Sequence, residues 1–208
     1  MTSTADGDGE KSTFRWLDAA RYAVAAAVTV LIMAVIVNAI KLSIAGGAVS
    51  AAPLKTPPPE EALAVELNLR AHNPSGRVRL YYLNITVYLF DKSTPASASL
   101  DPGFDSVINF EPHDIAVLQQ ETVDNLLAIK PKRNSVGAPY FDVLYNGSRV
   151  SDMTLRLDGN LITEVTSEFN KSRPASYYCE QLLVGGNPDD EAIKDRQDVI
   201  CKQGRGLN

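Results

Sequence analysis

The chain has 208 residues with 20 Lys and Arg, 25 Asp and Glu, and a formal net charge of −5. Five of the basic and four of the acidic residues precede residue 56, leaving 15 against 21 and a net charge of −6 beyond it. That balance, with no Lys/Arg run, argues against a nucleic-acid backbone as partner. The length suits one domain of ordinary size plus appendages.

Residues 1–14 open with MTSTADGDGEKST, small and polar, and read as a disordered tail on the cytoplasmic side. Residues 15–45 are expected to hold a single transmembrane helix with its flanks. The stretch Tyr22–Ile40, YAVAAAVTVLIMAVIVNAI, carries no charged side chain and would reach about 28 Å as a helix, close to the hydrocarbon thickness of a bilayer. Lys11, Arg15 and Arg21 precede it and Lys41 follows it, which favours the N-terminus inside and the rest of the chain outside. The lipid bilayer is therefore the first expected partner. A cleaved signal peptide is the competing reading, because residues 45–52, AGGAVSAA, are small enough for signal peptidase; the long apolar run counts against it.

Residues 46–61 contain Pro57, Pro58 and Pro59 and read as a Pro-rich spacer in extended polyproline II. From Ala62 the pattern changes to period two. Leu63, Val65, Leu67, Leu69 and Ala71 alternate with Ala64, Glu66, Asn68, Arg70 and His72, as in a strand with one buried face. Asn73-Pro74-Ser75-Gly76 is a turn signal, and a second strand follows, with Leu83, Ile85, Val87 and Leu89 on one face and Asn84, Thr86 and Tyr88 on the other.

Downstream, Ser106–Phe110 is a short strand, and Ile115–Ile129 is ambiguous between strands and a helical turn. Tyr140–Tyr145 leads into Asn146-Gly147, a hairpin signal. Met153, Leu155 and Leu157 alternate up to a turn at Asp158-Gly159-Asn160, then LITEVTSEF and a last strand at 177–184. Short strands with turns between them predict an all-β antiparallel sandwich over 62–184. Residues 185–208 read as an acidic, polar, loosely ordered tail.

The run VELNLRAHNPSGRVRLYYLNITVYLF resembles the opening of the plant late-embryogenesis-abundant group 2 domain. An alternating strand is followed by Asn73-Pro74 and then by the pair Tyr81-Tyr82 that opens the next strand. The closing YYCEQLLV, with Cys179, resembles that family's terminal strand, and the order of tail, span, spacer and domain matches its membrane-anchored branch, related to non-race-specific disease resistance and hairpin-induced proteins. The aromatic middle block of the family has no clear counterpart in SVINFEPHDIAVLQQET. The resemblance implies a fibronectin- or immunoglobulin-like β-sandwich, plasma-membrane placement, and a part in plant defence or stress responses. It supplies no ligand.

Three N-x-S/T sequons, at Asn84, Asn146 and Asn170, lie beyond the expected span and are candidates for N-glycosylation. Cys179 and Cys201 allow a bridge, which an oxidising compartment would preserve, or two free thiols on a mobile tail; the bridge is favoured slightly. Catalysis has little support. Neither His72 nor His113 has a Ser or Cys nearby in a nucleophile context, and Cys179 lacks an activating base. Glu111, His113 and Asp114 read as a solvated acidic loop before a metal site. No catalytic residue, cofactor or metal is expected. The functional expectation is a non-enzymatic, membrane-anchored extracellular module with an unknown protein or cell-wall partner. Lipid handling in a slot between sheets is the alternative.

Overall fold

The computed structural model describes residues 19–28, 40–54, 61–166, 169–186 and 196–204. The chain forms two compact units, 1–38 and 39–208.

In the first unit the described part is a helix, α1, over residues 19–28. Its sequence, AARYAVAAAV, is alanine-rich, and alanine is the strongest helix former. Ten residues span only about 15 Å, and alanine contributes little apolar bulk. Among the described residues no helix is long and apolar enough to cross a membrane. The expected span at 22–40 is thereby overturned, and with it the single-pass plasma-membrane placement. Residues 29–39 of that run, like the whole of the tail 1–14, lie outside the described residues. Its last residue, Ile40, belongs to the second unit, where it is 2% exposed. Ile40, Leu42 and Ile44 alternate with Lys41 and Ser43 and are buried in the β core. Hydropathy alone does not separate a helix from the buried strand that follows it.

The second unit is mostly β. Its strands are β1 (Lys41–Ile44), β2 (Ala48–Leu54), β3 (Ala62–His72), β4 (Arg79–Phe90), β5 (Ile108–Phe110), β6 (Ile115–Val117), β7 (Thr122–Ile129), β8 (Val150–Thr166), β9 (Phe169–Val184), β10 (Val199–Ile200) and β11 (Lys202–Gln203). Two short helices interrupt them, α2 (Pro102–Asp105) and α3 (Ala138–Tyr145). Hydrogen bonding runs in the order β10-β1-β3-β2-β9-β8-β4-β5, with β7 on β3, β6 on β4 and β11 on β9. The sheet is mixed, not antiparallel throughout, because Ala48 and Val49 pair in parallel with Leu183 and Val184.

That parallel step explains why residues expected to be spacer are folded. β1 and β2 lie along one edge of β3, from Lys41 opposite His72 to Leu54 opposite Ala62. Between them Gly46 and Gly47 take positive φ, 65° and 52°, a conformation glycine reaches without steric cost. The chain steps out there, pairs with β9, and returns. Residues 55–60, with the three prolines, lie outside the described residues.

The inner faces of β1 to β6, β8 and β9 share one core, a layout consistent with a β-sandwich. β3 buries Leu63, Val65, Leu67, Leu69 and Ala71, as its alternation predicts. β4 changes phase: Leu80 and Tyr82 point inward before a bulge, and Ile85, Val87 and Leu89 after it. Asn84 takes φ 52° at the bulge, and one extra residue is enough to exchange the two faces.

Three further expectations are corrected. Residues 138–145 form α3, and Asn146-Gly147 ends that helix, with the Asn146 N–H bonded to the Asp142 carbonyl and Gly147 at φ 75°. Asp158-Gly159-Asn160 lies within β8, paired with Pro174-Ala175-Ser176. The tail is folded in part: β10 pairs with β1 and β11 with β9.

Candidate functional site

Asn73 is fully buried at the end of β3. Its Nδ2 donates to the carbonyls of Val78, Leu118 and Val117 at 2.8, 3.0 and 3.3 Å, and its Oδ1 accepts from the Ser75 N–H at 3.0 Å. The Asn73 N–H bonds the Glu121 carbonyl, and the Ser75 carbonyl accepts from Gln120. Pro74 fixes the backbone between the two polar residues. One amide thus joins three chain segments, and every polar atom of it is used. The role of Asn73-Pro74 is therefore to hold the fold.

The tyrosine pair divides its work. Tyr81 is half-buried, and its hydroxyl donates to Glu164 at 2.8 Å. Tyr82 is fully buried; its hydroxyl lies 2.9 Å from both the Leu157 and the Ala175 carbonyls, and its ring meets Tyr177 edge-on at 5.6 Å. Burial, helped by Tyr177 and Asp158, raises the Tyr82 phenol far above its ordinary range, and burial pushes Tyr177 up to about 12. Both stay neutral and serve packing. Gly159 makes room, since a Cβ there would lie 2.9 Å from the Tyr82 ring.

Cys179 in β9 and Cys201, between β10 and β11, are joined at an S–S distance of 2.07 Å, and no described cysteine is free. Asn84 and Asn146 are exposed. Asn170 stands opposite Glu164 at the start of β9. Among the described residues no group of three His, Cys, Asp or Glu side chains is placed to hold a metal ion. His72 bonds Thr122 through Nδ1 at 2.9 Å, and Asp114 accepts from the Asn84 N–H.

The feature that sequence reasoning missed is the β4–β5 connection, residues 91–107. Its apolar tips are Leu100, 100% exposed, and Phe104, 86% exposed. The loop beneath them is fixed at several points. Asp91 accepts from Ser93, Thr94 and the Tyr140 hydroxyl. Burial raises the Asp91 pKa, but those bonds outweigh it and the net shift is downward; the same contact pushes Tyr140 up to about 12. Arg156, paired with Asp158, donates to the Ala96 and Ser99 carbonyls at 3.0 and 3.4 Å. Asp101 caps α2 through the Phe104 N–H, Ser99 donates to Asp105 at 2.7 Å, and Asn109 donates to the Gly103 carbonyl. The sequence signal was two large apolar residues in the stretch 99–106, otherwise made of Ser, Asp, Pro and Gly.

No family model and no curated protein matches the chain. A crystal structure of a protein from Archaeoglobus fulgidus aligns at 9% identity with a TM-score of 0.28, covering 65% of this chain and 94% of that one. A likeness at that level carries no argument.

Proposed function

We propose that this protein is a non-catalytic interaction module of the late-embryogenesis-abundant group 2 kind, and that it takes a protein partner on the 99–105 loop. The observation that carries this reading is the exposure of Leu100 and Phe104 on a loop tied down by Asp91, Asp101, Asp105 and Arg156. Loose loops hide or average out their apolar residues. A fixed loop that keeps two of them in water has its contact surface ordered before binding, which lowers the entropic cost of association. Asp101 and Asp105 flank the pair, so the fitting surface is an apolar pocket with a basic rim. A role in plant defence or stress responses is what the family resemblance adds, on Asn73, Pro74, Tyr81 and Tyr82 and on the closing strand with Cys179.

Lipid handling would need a slot lined by Leu67, Leu69, Ile85 and Val87. All four are buried within the one core cluster, which favours the interaction reading.

The test is a benzophenone side chain placed at position 104 of the full chain in its native cells. The expected result is a discrete adduct that disappears with Leu100→Asp and does not form from the same probe at exposed Lys171. Identical adducts from positions 104 and 171 would overturn the proposal.

A further inference from the structure

Among the described residues two long stretches of sheet edge have no strand beside them, residues 169–175 of β9, which carry Lys171, Arg173 and Pro174, and the whole of β7. β10 lies on β1, while β11 and β2 lie on β9. β5 and β6 are edges of three residues each. β7 has eight residues, Thr122–Ile129, and pairs only with β3, along Val65–His72. Monomers blunt such edges with charged side chains, above all lysine, or with proline, a bulge or shortness. β7 carries one charge, Asp124, paired with Arg70 of β3, and has no lysine, proline or bulge within its span; Lys130 and Pro131 come only after it. Its outward Leu126 is 68% exposed, and its inward Val123, Leu127 and Ile129 pack against the core while remaining partly exposed.

We infer that β7 pairs with β7 of a second copy of this chain, antiparallel across a two-fold axis at Leu126. Residues opposite each other in an antiparallel pair point to the same face, so their numbers must share parity. In this register Leu126 faces Leu126 of the partner subunit, Val123 faces Ile129 and Asn125 faces Leu127. Asp124 faces Ala128, and Thr122 faces Lys130. Apolar residues meet on both faces. Asp124 falls diagonal to Lys130 of the partner subunit, within reach of an ion pair. A register centred on Asp124 would set two carboxylates directly opposite. Pro131 ends the ladder, since it has no N–H to give. The second copy is thus favoured over an unrelated strand by the self-complementarity of TVDNLLAIK.

The test uses the full-length chain. Sedimentation over a concentration series is expected to show a monomer–dimer equilibrium. Leu126→Lys, which sets like charges opposite each other, should weaken it about tenfold or more. Leu126→Cys should form an intermolecular disulfide faster than Lys171→Cys, and so should the double variant Asp124→Cys/Ala128→Cys, whereas Asp124→Cys alone should not. A wild-type chain that stays monomeric at the highest soluble concentration overturns the inference. So does cross-linking at 126 no faster than at 171, a readout that holds even if the lysine variant folds poorly. Neither result bears on the 99–105 loop.

Discussion

Replacing Asn73 gives the sharpest check on how this domain is held together. In Asn73→Ala the carbonyls of Val78, Val117 and Leu118 and the N–H of Ser75 lose their side-chain partner in a buried place. Counting three effective bonds, because two N–H groups serve three carbonyls, and about 1 kcal/mol for each, the loss is about 3 kcal/mol. For a domain of this size that lowers the thermal midpoint by roughly 6–12 °C. Asn73→Asp keeps the shape but reverses the polarity, since an ionised carboxyl donates nothing to three carbonyl oxygens. Its folded-state pKa is then raised above the unfolded value of about 3.9. With that sign the penalty is absent below the unfolded pKa and builds as pH rises toward the folded pKa. Asn73→Asp should therefore unfold well below wild type at neutral pH and approach it in acid, whereas the Asn73→Ala deficit stays flat. Thermal unfolding followed by circular dichroism at several pH values measures both. A deficit under about 1 kcal/mol for both variants would refute the reasoning, because that is the worth of a single bond.

The other predictions are these. Gly159→Ala should cost about 1–3 kcal/mol by overpacking, since its Cβ would meet the Tyr82 ring at 2.9 Å and the Leu83 carbonyl at 3.0 Å; Tyr82→Leu in the same chain should recover part of that in denaturant unfolding. Cys201→Ser should lose about 3 kcal/mol, as the bridge closes a loop with a sequence separation of 22, and reducing agent should change wild type but not the variant. Asp91 has a lowered folded pKa, so its contribution is present above the unfolded pKa and is lost as pH falls through the folded value; Tyr140→Phe should flatten that acid-side slope in a stability–pH series. Expressed through a glycosylating host, the chain should show one gel-mobility step removable by endoglycosidase for each of Asn84 and Asn146, and Asn84→Gln and Asn146→Gln should each abolish one.

The sequence reading reached β3, β4, β5 and the end of β9 as strands, because a half-buried strand writes its burial into alternate residues. It missed wherever one residue breaks that code. Asn84 enters the left-handed region and shifts the phase of β4, so Leu83 was read inward in place of Tyr82. Asn is among the few non-glycine residues that tolerate this backbone, and that was the available signal. Gly159 was read as a turn, yet it is small because an aromatic ring lies on it. Asn146-Gly147 fits a hairpin tip and a helix C-terminus equally well, since both need a positive φ. β7 stayed ambiguous because Leu126 sits where alternation calls for a polar residue. That irregularity is now the best evidence that the strand has a use beyond the core. Leu100 and Phe104 were legible in the same way, as large apolar residues at positions with no core to enter.

These irregularities are spread over the sheet: Leu126 lies in β7 beside β3, whereas Asn84 and Gly159 lie in β4 and β8. The C-terminal segment crosses from β1 to β9, fastened by Cys179–Cys201, by the Cys201 N–H on the Leu42 carbonyl at 2.9 Å, and by Asp198 on the Gly46 N–H. Arg70 in β3 links this segment to β7, with Nη1 on Asp198 at 2.6 Å and Nε on Asp124 at 2.7 Å. An exposed ion pair of this kind adds little stability. Its consequence is electrostatic: Asp124 is the only charge within β7, and Arg70, which it shares with Asp198, offsets part of it. Asp124 is thus held within its own sheet, and among the described residues the β7 edge is apolar at its centre and has no strand along its outer side.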